Sequence, residues 1–472
     1  MTQQSRQNRI IASSFRDPSG FVFTHNGNIY RQVNKSYKDT FDHFIKSGLY
    51  DHLVSSGLLV EHEEVDIPIP DPDSFYSIIK PSLITFISYP YEWCFSQLKD
   101  AALTTLKIQE DALRYGMVLK DASAFNIQFR GFQPIFIDTL SFDLYQEGSP
   151  WVAYQQFCQH FLAPLALMSY TDIRLNKLLR LYIDGIPLDF AKTLLPFRSF
   201  VNISLLLHIY LHARSQARYS DTSLKSGLTA AKKKGLSRKV SLTELRGLID
   251  NLRTTVHKLK WKPSGTEWGD YYEDTNYSIE SMESKKKLVN DFLETSRPYS
   301  VWDLGANTGE FSRIASNCGI DTVSYDIDPA AVEKNYLSCK AKMTPNLLPL
   351  IMDLTNPSPS IGWQNNERLS FTERKKPDAI FALALIHHLA ISNNVPFVKI
   401  SEFFAALSKK WLIIEFVPKD DSQVQRLLSS REDIFANYTK EEFEKEFSNM
   451  FIITDCKPIE KSERFLYLMK IK

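Results

Sequence analysis

The sequence predicts an α/β protein: a mostly parallel sheet with helices on both faces in the C-terminal half, preceded by an α+β domain. Three observations carry this. From Ser300 onward, short apolar runs alternate with helical stretches at the spacing of βα units. The last two runs, Phe451–Cys456 and Phe465–Ile471, are separated by only a turn and should pair as a hairpin. The first run leads into Asp303-Leu304-Gly305-Ala306-Asn307-Thr308-Gly309, a glycine-rich turn at a strand end, where open α/β sheets hold ligands.

The 472 residues exceed what one ordinary core organises, and the expected parts are 1–214, 215–262 and 263–472. Hydrophobic residues at 43% and charged residues at 24% mark a globular chain rather than a disordered one. A formal net charge of +1 gives no global electrostatic case for nucleic acid or an anionic membrane as partner. Five scattered cysteines, Cys94, Cys158, Cys318, Cys339 and Cys456, have no metal-ligand spacing and read as reduced thiols. No apolar run reaches the length of a membrane span, and the polar start, Met1 to Arg9, does not read as a secretory signal. The expected location is the cytoplasm.

In chain order, Phe21–Phe23 and Ile29–Val33 read as a hairpin around Asn26-Gly27. A helix is expected near Tyr37–Ser56 and a further strand at Ile84–Ser88. A composition break follows between about Ser215 and Pro263. Lys232, Lys233, Lys234, Arg238 and Lys239 form a basic cluster there, read as a solvated linker face. Leu242, Leu245, Leu248, Ile249 and Leu252 then fall at helical spacing. An aromatic segment, Trp268, Tyr271, Tyr272 and Tyr277, precedes a helix at Ser284–Thr295. The parallel strands are expected at Ser300–Asp303, Thr322–Asp326, Leu348–Asp353, Ala379–Ala384 and Trp411–Phe416.

The glycine turn is the most informative stretch. Gly305 and Gly309 let the backbone turn tightly and approach a ligand, and the helix expected at Phe311–Cys318 offers free N–H groups. The D-x-G-x-N-x-G spacing differs from a dinucleotide loop. Asp303 would repel a pyrophosphate and suits a ligand carrying an ammonium group. Asp326, about 20 residues past the loop, is placed to accept hydrogen bonds from both ribose hydroxyls. Asp328 is a rival, better read as the cap of the helix that Pro329 starts. Asp353 ends the third run, so three acids fall at three successive strand ends.

This motif resembles motif I of class I S-adenosylmethionine-dependent methyltransferases. The resemblance implies a Rossmann-like sheet ending in a hairpin, with S-adenosyl-L-methionine bound through Asp303, Gly305, Asn307, Gly309, Asp326 and Asp353. It also implies that Asp353 meets the adenine amino group. Ala382-Leu383-Ala384-Leu385-Ile386-His387-His388-Leu389 resembles the region after the fourth strand, which faces the transferred methyl group in that family. His388, or His387, is the candidate base, needed only if the acceptor loses a proton; the alternative is that both only shape the loop. Glu415 either lines the acceptor site or serves as a structural hydrogen-bond acceptor.

In the first domain, Asp121, Asn126 and Asp138 resemble the catalytic and magnesium-holding loops of kinase-like phosphotransferases. The glycine-rich phosphate loop and the strand lysine are missing, and Leu119-Lys120 stands where His-Arg is expected. A degenerate kinase-like fold is the implied reading. Ser88-Tyr89-Pro90-Tyr91-Glu92-Trp93, Lys120-Asp121-Ala122-Ser123 and Ile137-Asp138-Thr139-Leu140-Ser141-Phe142, together with the glycine turn, resemble the NoeA-type group of two-part methyltransferase-like proteins. Three functions are thereby in play. One is a methyltransferase acting on an unidentified small molecule, glycan or protein. Another is a phosphotransferase or bifunctional enzyme using Asp121, Asn126 and Asp138. The third is a non-catalytic binding module.

Overall fold

The computed structural model describes residues 8–211, 239–263, 277–429 and 431–472. Lys232, Lys233, Lys234, Arg238, Trp268, Tyr271 and Tyr272 lie outside them. The chain forms two compact units. One comprises Met1–Phe129, Gln133–Lys262 and Ile361–Arg368, the other Arg130–Phe132, Pro263–Ser360 and Leu369–Lys472. Among the described residues no helix is long and apolar enough to cross a membrane.

The first unit holds an antiparallel sheet of five strands: β1 (Arg9–Ile10), β2 (Gly20–His25), β3 (Asn28–Asn34), β4 (His62–Glu64) and β5 (Phe75–Pro81), in the order β1-β2-β3-β5-β4. Asn26 and Gly27, at φ of 51° and 80°, make the tight β2–β3 turn, as an Asn-Gly pair favours. The expected helix over Tyr37–Ser56 is two helices, Lys38–Lys46 and Leu49–Ser55, broken at Gly48. The strand expected at Ile84–Ser88 does not form, and Phe75–Pro81 takes that place in the sheet. Ser88 satisfies its backbone elsewhere: its N–H donates to the Gln128 side chain at 2.9 Å, and its carbonyl accepts from that amide at 3.0 Å. Two ribbons follow, β6 (Met117–Leu119) with β9 (Phe142–Leu144) and β7 (Ile127–Arg130) with β8 (Gln133–Phe136). Helix Leu242–Lys258 starts from a Ser241/Glu244 capping box and buries Leu245, Ile249, Leu252 and Val256.

The second unit is a seven-stranded sheet of β10 (Ser300–Leu304), β11 (Asp321–Asp326), β12 (Leu347–Ile351), β13 (Ala379–Ala382), β14 (Trp411–Phe416), β15 (Phe451–Pro458) and β16 (Phe465–Ile471). Its order is β12-β11-β10-β13-β14-β16-β15. The first five strands are parallel, and β15 and β16 are the antiparallel closing hairpin. This is a Rossmann-like arrangement, a mostly parallel sheet closed by an antiparallel hairpin, as the sequence predicts. Every residue of β12, β13 and β14 is buried, as parallel strands covered on both faces require. Helix Ile279–Ser296 supplies Val289, Phe292 and Leu293 to the core formed with Val301, Phe381, Ile413 and Leu468. Each such side chain contributes about 1.5–3 kcal/mol by burial.

Two strands end earlier than the sequence predicts. The third stops at Ile351, and Asp353 opens a turn in which its carboxylate accepts from the Thr355 N–H at 2.9 Å and hydroxyl at 2.6 Å. The fourth stops at Ala382, and Ala384 adopts φ 50°, which an extended strand does not allow. His387 and His388 stand in a helical turn rather than an open loop.

Candidate ligand-binding site

Strand order reverses between β10, which leads outward to β11 and β12, and β13, which leads the other way. At such a switch point the two loops leaving the carboxyl ends diverge and open a crevice. A cavity of about 280 Å³ lies at this edge. Asp303, Gly305, Asn307, Asp326, Asp353 and His388 all line it, together with Ile327, Met352, Leu354 and Leu385. Gly309 is outside the lining; it is the left-handed residue that begins helix Glu310–Asn317.

The loop is fastened to the neighbouring strand end by backbone groups. Gly305 and Ala306 N–H both donate to the Tyr325 carbonyl at 2.9 Å. The Asn307 N–H donates to Asp326 Oδ2 at 2.7 Å, and the Asp328 N–H donates to Oδ1 at 2.9 Å. Asp328 itself accepts from the Ala330 N–H at 2.8 Å, as a helix cap does. Asp303 accepts from the Ser312 hydroxyl at 2.5 Å. Burial pushes both Asp303 and Asp326 up to about 6, against the lowering effect of those hydrogen bonds. The two acids therefore stand close to half-ionised near pH 6.

Gly309 is needed for space as well as for its φ of 80°. A Cβ there would stand 2.4 Å from the Asn335 side-chain amide. That amide is held by donation to Ser324 Oγ at 3.0 Å and by acceptance from Arg313 at 2.9 Å. Gly309→Ala is expected to cost about 1–3 kcal/mol, read as a lowered thermal unfolding midpoint of the full chain. An unchanged midpoint would contradict this account of the turn.

Behind the cavity lies a charged network that the sequence reading did not assemble. Glu415 of β14 is fully buried. Its Oε2 meets Lys285 Nζ at 2.6 Å and the Ala384 N–H at 2.8 Å. Its Oε1 accepts from the Tyr277 hydroxyl and from Arg464 Nη1, the latter at 3.3 Å. Arg464 also grips Asp421 at 2.7 and 3.0 Å and donates to the Tyr277 hydroxyl at 2.6 Å. Burial alone would push the Glu415 carboxyl up, but Lys285 and Arg464 outweigh it and hold it at about 2. Of the two roles open to Glu415, the geometry is that of a structural acceptor. Lys285 carried one readable signal: it occupies the apolar stripe of helix Ile279–Ser296, four residues before Val289.

His388 lines the cavity, and burial followed by repulsion from Arg464 lowers it to about 4. It is neutral near pH 7. His387 is buried behind it and held well below the ordinary histidine range by burial.

The other constellation, Asp121, Asn126 and Asp138, lies in the first unit. Asp138 is bound by Arg31 of β3, which also meets Asp17 at 3.0 Å, and accepts from the Leu140 N–H at 3.0 Å. Burial would raise the Asp138 carboxyl, but the Arg31 guanidinium and these hydrogen bonds hold it below the usual range. Asp121 accepts from the Ser123 N–H at 2.9 Å. Among the described residues no three His, Cys, Asp or Glu side chains are grouped to hold a metal ion.

No family model matches the chain. The chain is 36% identical to the nodulation protein NoeA of Rhizobium meliloti (strain 1021) over 463 residues, 97% of this chain and 95% of that protein. The chain belongs to the NoeA family. For this NoeA-family chain, partial overlays on solved structures fall on less than half of its length. The PH0226 protein of Pyrococcus horikoshii OT3 is 16% identical, with 44% of this chain and all of that one covered and a TM-score of 0.33. The magnesium protoporphyrin IX methyltransferase of Synechocystis PCC 6803 is 15% identical, with coverages of 43% and 91% and a TM-score of 0.31. The N-methyltransferase NodS of Bradyrhizobium japonicum WM9 is 11% identical, with coverages of 41% and 98% and a TM-score of 0.31.

Proposed function

We propose that this chain is an S-adenosylmethionine-dependent methyltransferase, with the cofactor lying along the carboxyl edge of β10, β11 and β12. The carrying observation is that Asp303, Asp326 and Asp353 open into one cavity beside a glycine turn. The donor set suits the ligand. Asp326 keeps acceptor capacity beyond its backbone N–H partners for the ribose hydroxyls. Asp303 faces the ammonium group, and Asp353 the adenine amino group. Ile327, Met352 and Leu354 supply apolar surface for the purine. When bound, the sulfonium supplies an activated methyl group, so the protein's task is alignment and exclusion of water. His388 lines the cavity and is the candidate base for an acceptor that must lose a proton; held at about 4 before any ligand binds, it would serve as a base at pH 7 only where the bound acceptor raises it. The acceptor itself is a small molecule, glycan or protein not yet identified. A phosphotransferase reading is not favoured, because Arg31 occupies the Asp138 carboxylate.

Calorimetry of the full chain with S-adenosylmethionine tests this directly, and absence of binding would overturn it. A pH series sharpens the test. In the ligand-free chain Asp303 and Asp326 are raised carboxyls, so their ionisation opposes folding as pH rises through about 6. A cationic ligand favours the ionised forms and pulls both values down. Affinity should therefore rise from pH 5 to pH 7, with proton release at pH 6 visible as a dependence on buffer ionisation enthalpy. Flat affinity across that range would remove both acids from the ligand's surroundings.

A further inference from the structure

The acids at the strand ends answer the cationic and hydroxyl groups of the ligand but leave its carboxylate unmatched. The amino-acid end lies at Asp303, and a carboxylate there would be repelled unless a cation stands beside it. Among the described lining residues Lys285 is the single lysine or arginine. Its side chain is 2% exposed, and the ammonium group sits over the Phe311 ring at 4.4 Å and the Tyr277 ring at 4.9 Å. Two of its three N–H donors have named partners, Glu415 Oε2 at 2.6 Å and the Tyr277 hydroxyl at 3.1 Å. A third donor is left for a ligand. Arg464, on the far side of Glu415, is committed to Asp421 and does not line the cavity.

We infer that Lys285 is the carboxylate-binding residue of this cavity, selecting a ligand that carries a complete α-amino-acid end over one that lacks the carboxylate. This rests on the methyltransferase reading of the same site. Glu415 and the two rings hold the ammonium group in one place, so the lysine loses little further freedom on binding. A charge-assisted bond to a carboxylate in a buried setting is worth about tenfold to a hundredfold in affinity.

The test is calorimetry of the full chain with S-adenosylmethionine and with decarboxylated S-adenosylmethionine. The unaltered chain is expected to prefer the carboxylate-bearing ligand by about tenfold or more. Lys285→Met should bind both with the preference collapsed to about threefold or less, while Lys285→Arg should keep a preference. If the methionine variant does not fold, Lys285→Gln takes its place, since it still donates a hydrogen bond toward Glu415. Equal binding of the two ligands by the unaltered chain overturns the inference and leaves the methyltransferase reading standing. So does a preference that survives loss of the lysine. Binding of neither ligand by the unaltered chain overturns both.

Discussion

Glu415→Ala is expected to destabilise the chain by about 3–5 kcal/mol, the cost of removing one partner from a buried ion pair. The carboxylate answers Lys285, Arg464 and the Tyr277 hydroxyl at once and also takes the Ala384 N–H. Without it, Lys285 stays buried with no carboxylate in contact. Glu415→Gln keeps the shape and some of the hydrogen bonds and should fall between the two. Urea unfolding followed at tryptophan fluorescence measures the difference; a shift below about 1 kcal/mol would show the network to be dispensable. The effect also has a direction in pH. Because Glu415 is held at about 2, its contribution is present above the ordinary glutamate value and is lost as pH falls toward 2.

Asp326→Ala is expected to weaken S-adenosylmethionine binding by about 2–3 kcal/mol, or roughly 30- to 150-fold, since a charged acceptor to two hydroxyls is lost. Part of that loss is indirect, because Asp326 also fixes the Asn307 and Asp328 N–H groups. Asp326→Asn, which retains one acceptor, separates the two contributions: if it binds nearly as well as the parent, the carboxylate serves the loop more than the ribose. Unchanged affinity in a folded alanine variant would remove Asp326 from the ligand site altogether.

The sheet of the second unit was legible because its strands are short apolar runs that end in acids or turns, separated by helices of regular length. The residues that meet the cavity from those strand ends are local to them, so Asp303, Gly305, Asn307, Asp326 and Asp353 could be named from the turn and the strand-end acids, while His388 could be named only through the resemblance to the methyltransferase family. What stayed hidden depends on contacts distant along the chain. Arg464 sits in the turn before β16 and reaches Tyr277, 187 residues away, and nothing in its neighbourhood marks it as buried. Asp421 caps helix Ser422–Leu428, accepting from the Gln423 N–H, and its grip on Arg464 is additional to that local role. The error at Ile84–Ser88 has a different origin. An apolar run between prolines looks like a strand, yet its last residue is paired with a glutamine side chain rather than with a neighbouring strand.

The left-handed turn at Ala384 has a consequence for which residues this edge of the sheet can accept. It directs Leu385 toward the glycine turn, where a Cβ on Gly305 would stand 3.1 Å from the leucine Cδ1. The volume that glycine leaves empty is the volume its neighbour fills. The loops after β10 and β13, about 80 residues apart in the chain, are therefore complementary in shape and inherit each other's constraints. A side chain at Gly305 would meet both the φ of 76° and the Leu385 side chain, so the turn after β10 and the turn after β13 limit each other's residues.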